Sequence, residues 1–188
     1  LYACRSVGQT GVRINGIKKE VALAAFPAVD TQAVLEEVGK YFSEFSPVPS
    51  VLYTDLMNIG AVFHPTTVLL NAGKVETGED FEFYRQGMTP AVTTVLECID
   101  KERCSIAQAL SIPVQSALEW LQTVYGAKES TLRGALINNP AYQGIKAPTT
   151  LKVRYLFEDI PTGLIPLVSL GDLANVPTPT CHAIVELA

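Results

Sequence analysis

Basic residues are scarce in this chain: Lys and Arg total 14 against 19 acidic residues, and no stretch gathers them with aromatics. A nucleic-acid partner needs such a basic, aromatic-studded surface, so none is expected. Long apolar runs are missing as well. The longest, Val21–Pro27 and Leu164–Leu170, are broken by Pro or Gly, far short of the roughly 18 residues of a membrane-spanning helix. No basic start, apolar stretch and cleavage site follow one another as in a signal peptide, so no membrane partner is expected. Metal-type cysteine pairs are lacking too. Cys4, Cys98, Cys104 and Cys181 form no CxxC, and Cys98 and Cys104 on one helix would sit about 120° apart around its axis. They read as reduced thiols of a cytoplasmic protein, with no metal site. Cys181-His182 is one pair of adjacent donors with no second pair, and a structural role is expected.

What is present is core-forming. Apolar residues make up 48% of the 188 and charged residues 18%, which places the chain among globular proteins. The length suits one domain with a sizeable core, or one domain and a remnant of another. The first residue is Leu, in mid-pattern, which reads as a cut chain.

Two textures follow one another. Residues 1–56 read as α/β. Gly11–Asn15 and Glu20–Phe26 are strand candidates around an Asn15-Gly16 turn, a typical hairpin signal. Asp30 is placed as the N-cap of a helix reaching about Phe45, stopped by Pro47 and Pro49, with a further strand at Ser50–Tyr53. So few strands cannot bury their own faces, so this looks like the end of a larger sheet. From residue 55 the period turns helical. Asp55–Phe63 and Pro65–Ala72 flank His64, which is expected at a helix junction because Pro suits a first helical position. Thr89–Leu110 carries an apolar stripe of Val92, Val95, Leu96, Ile99, Ile106 and Leu110. Gln115–Tyr125 should end at Gly126, Ser130–Ile137 should be capped by Ser130, and residues 151–158, 163–174 and 178–187 complete the set. The boundary is expected within Ser50–Leu56.

Few residues bring chemistry to this pattern. His182 lies among Ala183, Ile184 and Val185, whereas His64 lies at the expected junction, where a side chain can face a cleft. Arg154, Glu158 and Asp159 interrupt an apolar region. They form either a solvated helix end with an Arg154–Glu158 pair or a functional group. In the second case Arg binds a planar carboxylate through two parallel hydrogen bonds, and Asp orients a His for proton transfer. Composition leaves both readings open.

At these residues the sequence resembles the C-terminal domain of the octopine/nopaline (opine) dehydrogenase family. The likeness rests on strings in order: Asn58-Ile59-Gly60-Ala61-Val62-Phe63-His64-Pro65, Phe83-Tyr84-Arg85-Gln86-Gly87-Met88-Thr89-Pro90 and Tyr142-Gln143-Gly144-Ile145-Lys146-Ala147-Pro148. It continues through Arg154-Tyr155, Glu158-Asp159-Ile160-Pro161-Thr162-Gly163 and Val176-Pro177-Thr178-Pro179. The resemblance implies a mainly α fold: a helical substrate and catalytic domain over residues 55–188, after a remnant of a dinucleotide-binding (Rossmann) domain over 1–54. It implies an NAD(P)-dependent oxidoreductase acting on CH–NH bonds, which joins an amino acid to a 2-oxo acid such as pyruvate and reduces the imine. On this resemblance His64 is the catalytic His, Asp159 its partner, and Arg154 the binder of the oxo-acid carboxylate. NAD or NADP would be held by a missing N-terminal domain, since no GxGxxG occurs in these residues and none of them is assigned to the cofactor. The isolated chain is therefore expected to be inactive.

Two other readings stand beside it. A ketopantoate reductase-like or hydroxyacid dehydrogenase-like relative would share the two-domain plan, but would be expected to place a Lys where His64 stands. A non-catalytic helical dimerisation module would use the apolar stripes of Thr89–Leu110 and Gln115–Tyr125 as contact faces, and a homodimer is left open.

Overall fold

The computed structural model describes residues 2–17 and 20–188. The described residues are mainly helical and divide into two compact units, Leu1–Asp55 and Leu56–Ala188.

In the first unit, β1 (Tyr2–Val7) pairs antiparallel with β2 (Gly11–Ile17) across a turn that begins at Gly8, whose φ of 62° is readily adopted without a Cβ. The expected hairpin turn at Asn15-Gly16 is not there. Ala3 pairs with Gly16 and Cys4 with Ile14, so Asn15 is the extra residue of a bulge inside β2. β3 (Val21–Leu23) is followed by α1 (Thr31–Gly39) and β4 (Phe45–Pro47), with β3 and β4 parallel: a short βαβ unit. The helix thus ends at Gly39, well before Phe45. Asp30 occupies its N-cap position without a side-chain capping bond. Ser50–Tyr53 is not a strand, because α2 (Val51–Leu56) begins there.

The second unit is built around α3 (Ile59–Leu70) and α5 (Pro90–Ala109), with α4 (Ala72–Glu76) between them. Thr89 caps α5, accepting from the Val92 N–H, and Pro90 sits in the first turn, where its missing N–H costs nothing. α6 (Ala117–Tyr125) starts with a Ser116–Glu119 capping box and ends at left-handed Gly126. α7 (Leu132–Ile137) is capped by Thr131 and not by Ser130; the Thr131 hydroxyl accepts from the Gly134 N–H. α8 (Arg154–Phe157), a π-helical turn over Ile160–Leu164, α9 (Ile165–Ala174) and α10 (Pro179–Leu187) follow. α3 packs on α5, α8 and the π turn, and α5 also packs on α9 and α10.

The face of α5 that meets its neighbours carries Val92, Leu96, Ile99 and Ile106, all buried, but the position between the last two is Arg103. Its guanidinium, 1% exposed as a residue, donates to Asp100 through Nε (3.0 Å) and Nη2 (2.6 Å). Further bonds go to the carbonyls of Leu56 and Gln115. The other Asp100 oxygen accepts from the Ala117 N–H at 2.8 Å, the first turn of α6. From the same turn, Glu102 accepts from the N–H groups of Thr180 and Cys181 at the start of α10. A buried charge is tolerated only when its bonding capacity is filled, and here the filling groups tie Leu56, α5 and the start of α6 together.

Arg103→Ala removes the donor and leaves Asp100 and two carbonyls buried. The expected loss is about 3–5 kcal/mol, read as a lower urea midpoint. A loss under about 1 kcal/mol would show that the network does not hold the helices.

Candidate active site

His64 lies inside α3 rather than at a helix junction, with Pro65 as an interior residue. Pro65 has no N–H to return to the carbonyl of Ala61, one turn earlier, but it is buried and the helix continues to Leu70. The turn preceding His64 has small residues. A Cβ on Gly60 would come within 3.3 Å of His64 Cε1 and 3.4 Å of Nδ1, so the bare glycine makes room for the ring. A Cβ on Gly163 would overlap that of Ala61. The backbone of the π turn therefore rests directly on α3.

That π turn positions Asp159. Leu164 N–H bonds to the Asp159 carbonyl and Ile165 N–H to the Ile160 carbonyl, each five residues back. Pro161 inside it and Pro166 just after it lack N–H donors, and single π turns of this kind are frequent at functional sites. Asp159 sits at the N-terminal end of the turn, yet its carboxylate makes no capping bond there. It meets His64 instead: Oδ2 lies 2.7 Å from Nδ1, with side chains 14% and 16% exposed for His64 and Asp159.

The second ring nitrogen is also engaged. Nε2 of His64 lies 2.9 Å from the Tyr84 hydroxyl. A carboxylate only accepts, so Nδ1 carries a proton; in the neutral ring Nε2 is then an acceptor from the Tyr84 O–H. When the ring is protonated at both nitrogens, Nε2 donates to the Tyr84 oxygen. The Tyr155 ring stacks on the imidazole at 4.2 Å and 22°. Tyr84 stacks on Tyr142 at 4.0 Å and 13°, with Phe83 edge-on at 5.1 Å. Burial, then the neighbouring Tyr125 and Tyr84, push the Tyr142 phenol well above its ordinary range, so it stays neutral.

The loop carrying Tyr84 is fixed by its backbone. Phe83 N–H donates to the Ile145 carbonyl and Ala147 N–H to that of Phe81, pairing residues 81–83 with 145–147. Buried Asn71 donates to the carbonyls of Thr67 and Gly87 at 2.8 and 3.0 Å, joining the end of α3 to this loop. One polar side chain thus fixes the helix that carries His64 against the segment that carries Tyr84.

Arg154 opens α8, beside Tyr155, and stays at the surface. Its guanidinium is 3.7 Å from Glu158, with both side chains about three-fifths exposed, and 5.8 Å from the Tyr155 ring. His182 is exposed on α10. Cys181 beside it is buried, and burial followed by Glu102 pushes its thiol up, away from the thiolate a metal or nucleophilic role needs. The structure thus brings His64 and Asp159 together and adds Tyr84, Tyr142 and Tyr155, which motif reasoning did not single out. Their hydroxyls and rings carry no local mark of the contact, since Tyr84 is 20 residues from His64 and reaches it only through the loop fold.

Residues 47–188 match the family described as NAD/NADP octopine/nopaline dehydrogenase, alpha-helical domain. The chain belongs to the octopine/nopaline dehydrogenase family. Within the family it is 42% identical over 187 residues to an opine dehydrogenase of Arthrobacter sp. (strain 1C), a match covering 100% of this chain and 52% of that protein. Two solved structures of octopine dehydrogenase, one with NADH and L-arginine and one with NADH and pyruvate, share its fold with TM-scores of 0.75 and 0.68. Each is 24% identical and covers 98% of this chain, but 52% and 51% of its own length. The chain spans about half the length of the relatives it matches.

Gly163→Ala tests the close approach of the π turn and α3. The added methyl should separate them, costing about 1–3 kcal/mol in urea unfolding, and Ala61→Gly in the same chain should recover most of the loss. Additive losses in the double variant would show that the two residues do not share this contact.

Proposed function

We propose that this chain is the substrate-handling, C-terminal part of an opine dehydrogenase, an enzyme that reductively condenses an amino acid with a 2-oxo acid using NADH or NADPH. The observation that carries the reading is the His64–Asp159 pair at 2.7 Å, set in an aromatic shell within the family's helical domain. The two octopine dehydrogenase structures hold L-arginine and pyruvate, one substrate of each class. We place the enzyme in the cytoplasm, where its cysteines would stay reduced.

The dinucleotide does not fit the residues present. No GxGxxG loop occurs in them, so they offer no phosphate cradle, and the nucleotide would be held by the half of its relatives' length that this chain does not span. That cofactor supplies the hydride.

The work left to these residues is orientation and proton handling. Asp159 fixes the tautomer of His64 and balances the charge of the imidazolium, which leaves Nε2 as the working nitrogen. Because both side chains are mostly buried, the ring is held in one orientation before substrate arrives, and little ordering is left for the reaction itself. Arg154 presents a planar guanidinium to the carboxylate of the oxo acid. Its exposed pair with Glu158 is worth only about 0.2–0.5 kcal/mol, so a substrate carboxylate that offers two parallel hydrogen bonds displaces it readily.

In the full-length enzyme, His64→Ala should lower kcat by about 10²–10⁴ while changing the pyruvate KM little. Unchanged activity would remove His64 from the mechanism. Arg154→Ala should chiefly raise the pyruvate KM; a fall in kcat alone would move the carboxylate anchor elsewhere. The 188 residues by themselves should show no micromolar affinity for NADH when titrated by nucleotide fluorescence. Tight binding would place a cofactor site within this chain.

A further inference from the structure

The two nitrogens of His64 are both occupied, Nδ1 by Asp159 at 2.7 Å and Nε2 by the Tyr84 hydroxyl at 2.9 Å. One face of the ring lies under Tyr155. Its Cε1 edge abuts Gly60. A proton leaving the imidazolium through Nε2 therefore meets the Tyr84 oxygen first.

Tyr84 is not placed to swing aside. It is 5% exposed, its ring lies flat on Tyr142 at 4.0 Å, Phe83 closes on it edge-on, and the backbone on either side is pinned to residues 145–147 and to Asn71. Tyr142 is itself buried, with Tyr125 against it at 5.3 Å. An aromatic stack of this kind holds a phenol in place, and a phenol hydroxyl can both accept and donate a hydrogen bond.

The geometry points to Tyr84 as a further catalytic residue of this reaction, the group through which the His64 proton reaches the substrate. This rests on the reading of the chain as the substrate half of an opine dehydrogenase. As the amine lone pair forms the C–N bond to the carbonyl carbon of the oxo acid, the C=O π pair moves to oxygen. That oxygen takes the proton of the Tyr84 hydroxyl, while the Tyr84 oxygen takes the Nε2 proton of the imidazolium. One N–H bond is broken on His64 and one O–H bond is formed on the substrate; the Tyr84 O–H is broken and remade, and no electrons are exchanged with any other group. Asp159 keeps its bond to Nδ1 throughout. Tyr142 acts as a positioning residue, through Tyr84.

The test is Tyr84→Phe in the full-length enzyme with pyruvate as the oxo-acid probe, beside His64→Ala. The variant ring keeps the stack on Tyr142 and loses the hydroxyl alone. The relay requires kcat to fall by about 10²-fold or more, with the pyruvate KM and NADH affinity within about twofold of the parent. It also requires 3-fluorotyrosine at position 84, a more acidic phenol of nearly the same size, to change the pH dependence of kcat while the fold is kept. A Tyr84→Phe enzyme within about threefold of the parent kcat, beside an inactive His64→Ala enzyme, overturns the relay and leaves the proposed function standing. Unchanged activity in His64→Ala overturns both. Should Tyr84→Phe not fold, the fluorotyrosine enzyme decides: an unchanged pH profile overturns the relay and a shifted one supports it.

Discussion

The site depends on two backbones coming closer than side chains ordinarily permit. Gly163 rests where a Cβ would overlap that of Ala61, so the π turn lies directly on α3 one turn before His64. Everything specific about the site follows from that contact. It brings the Asp159 carboxylate to Nδ1 across a sequence separation of 95 residues. Gly60 then leaves the imidazole the volume it occupies. Small residues at these positions act by what they omit.

A close contact between two short elements holds only if the elements are themselves anchored. α5 supplies that anchor, packing on α3, α9 and α10 and placing Arg103, Asp100 and Glu102 where they satisfy backbone groups of other segments. These ionic groups lie largely out of water, where an unmet hydrogen bond is costly and a met one is directional. Apolar packing by Leu96, Ile99 and Ile106 supplies the bulk of the burial and little orientation, whereas the carboxylates and the guanidinium fix which helix end meets which. Asn71 repeats the device on a small scale, tying α3 to the loop of Tyr84.

The aromatic shell gives the dyad its character. Tyr155 above the imidazole and the Tyr84–Tyr142 stack beside it keep the polar pair mostly from solvent while supplying a hydroxyl to the second nitrogen. A His so enclosed has one orientation, with both ring nitrogens hydrogen-bonded. Arg154, exposed on α8 next to Tyr155, is the contrasting case: a planar guanidinium open to solvent, paired only loosely with Glu158.

Much of this was legible from residue order. The helical period after residue 55 marked α5, α6 and α10, because an amphipathic stripe is a local property that survives in any surroundings. The helix end at Gly126 was legible for the same reason. The ordered strings shared with the opine dehydrogenase family singled out His64, Asp159 and Arg154 as a group. Local signals misled where a longer-range partner decided. Asn15-Gly16 reads as a turn, but pairing with β1 made it a bulge; Pro65 reads as a helix start, but buried packing carried α3 through it. The Arg103 position lies on the apolar stripe of α5, and only the carbonyls of Leu56 and Gln115, brought in from other segments, make a buried guanidinium tolerable there. Tyr84 and Tyr155 lie in those strings but carried no mark of their contact with His64. Sequence by itself determined the helices, since their period is written along the chain, and its likeness to the opine dehydrogenase family supplied the candidate dyad. Tertiary structure alone decided that Tyr84 closes the second nitrogen of His64, because hydrogen bonds form between atoms about 3 Å apart in space, whatever their distance in sequence.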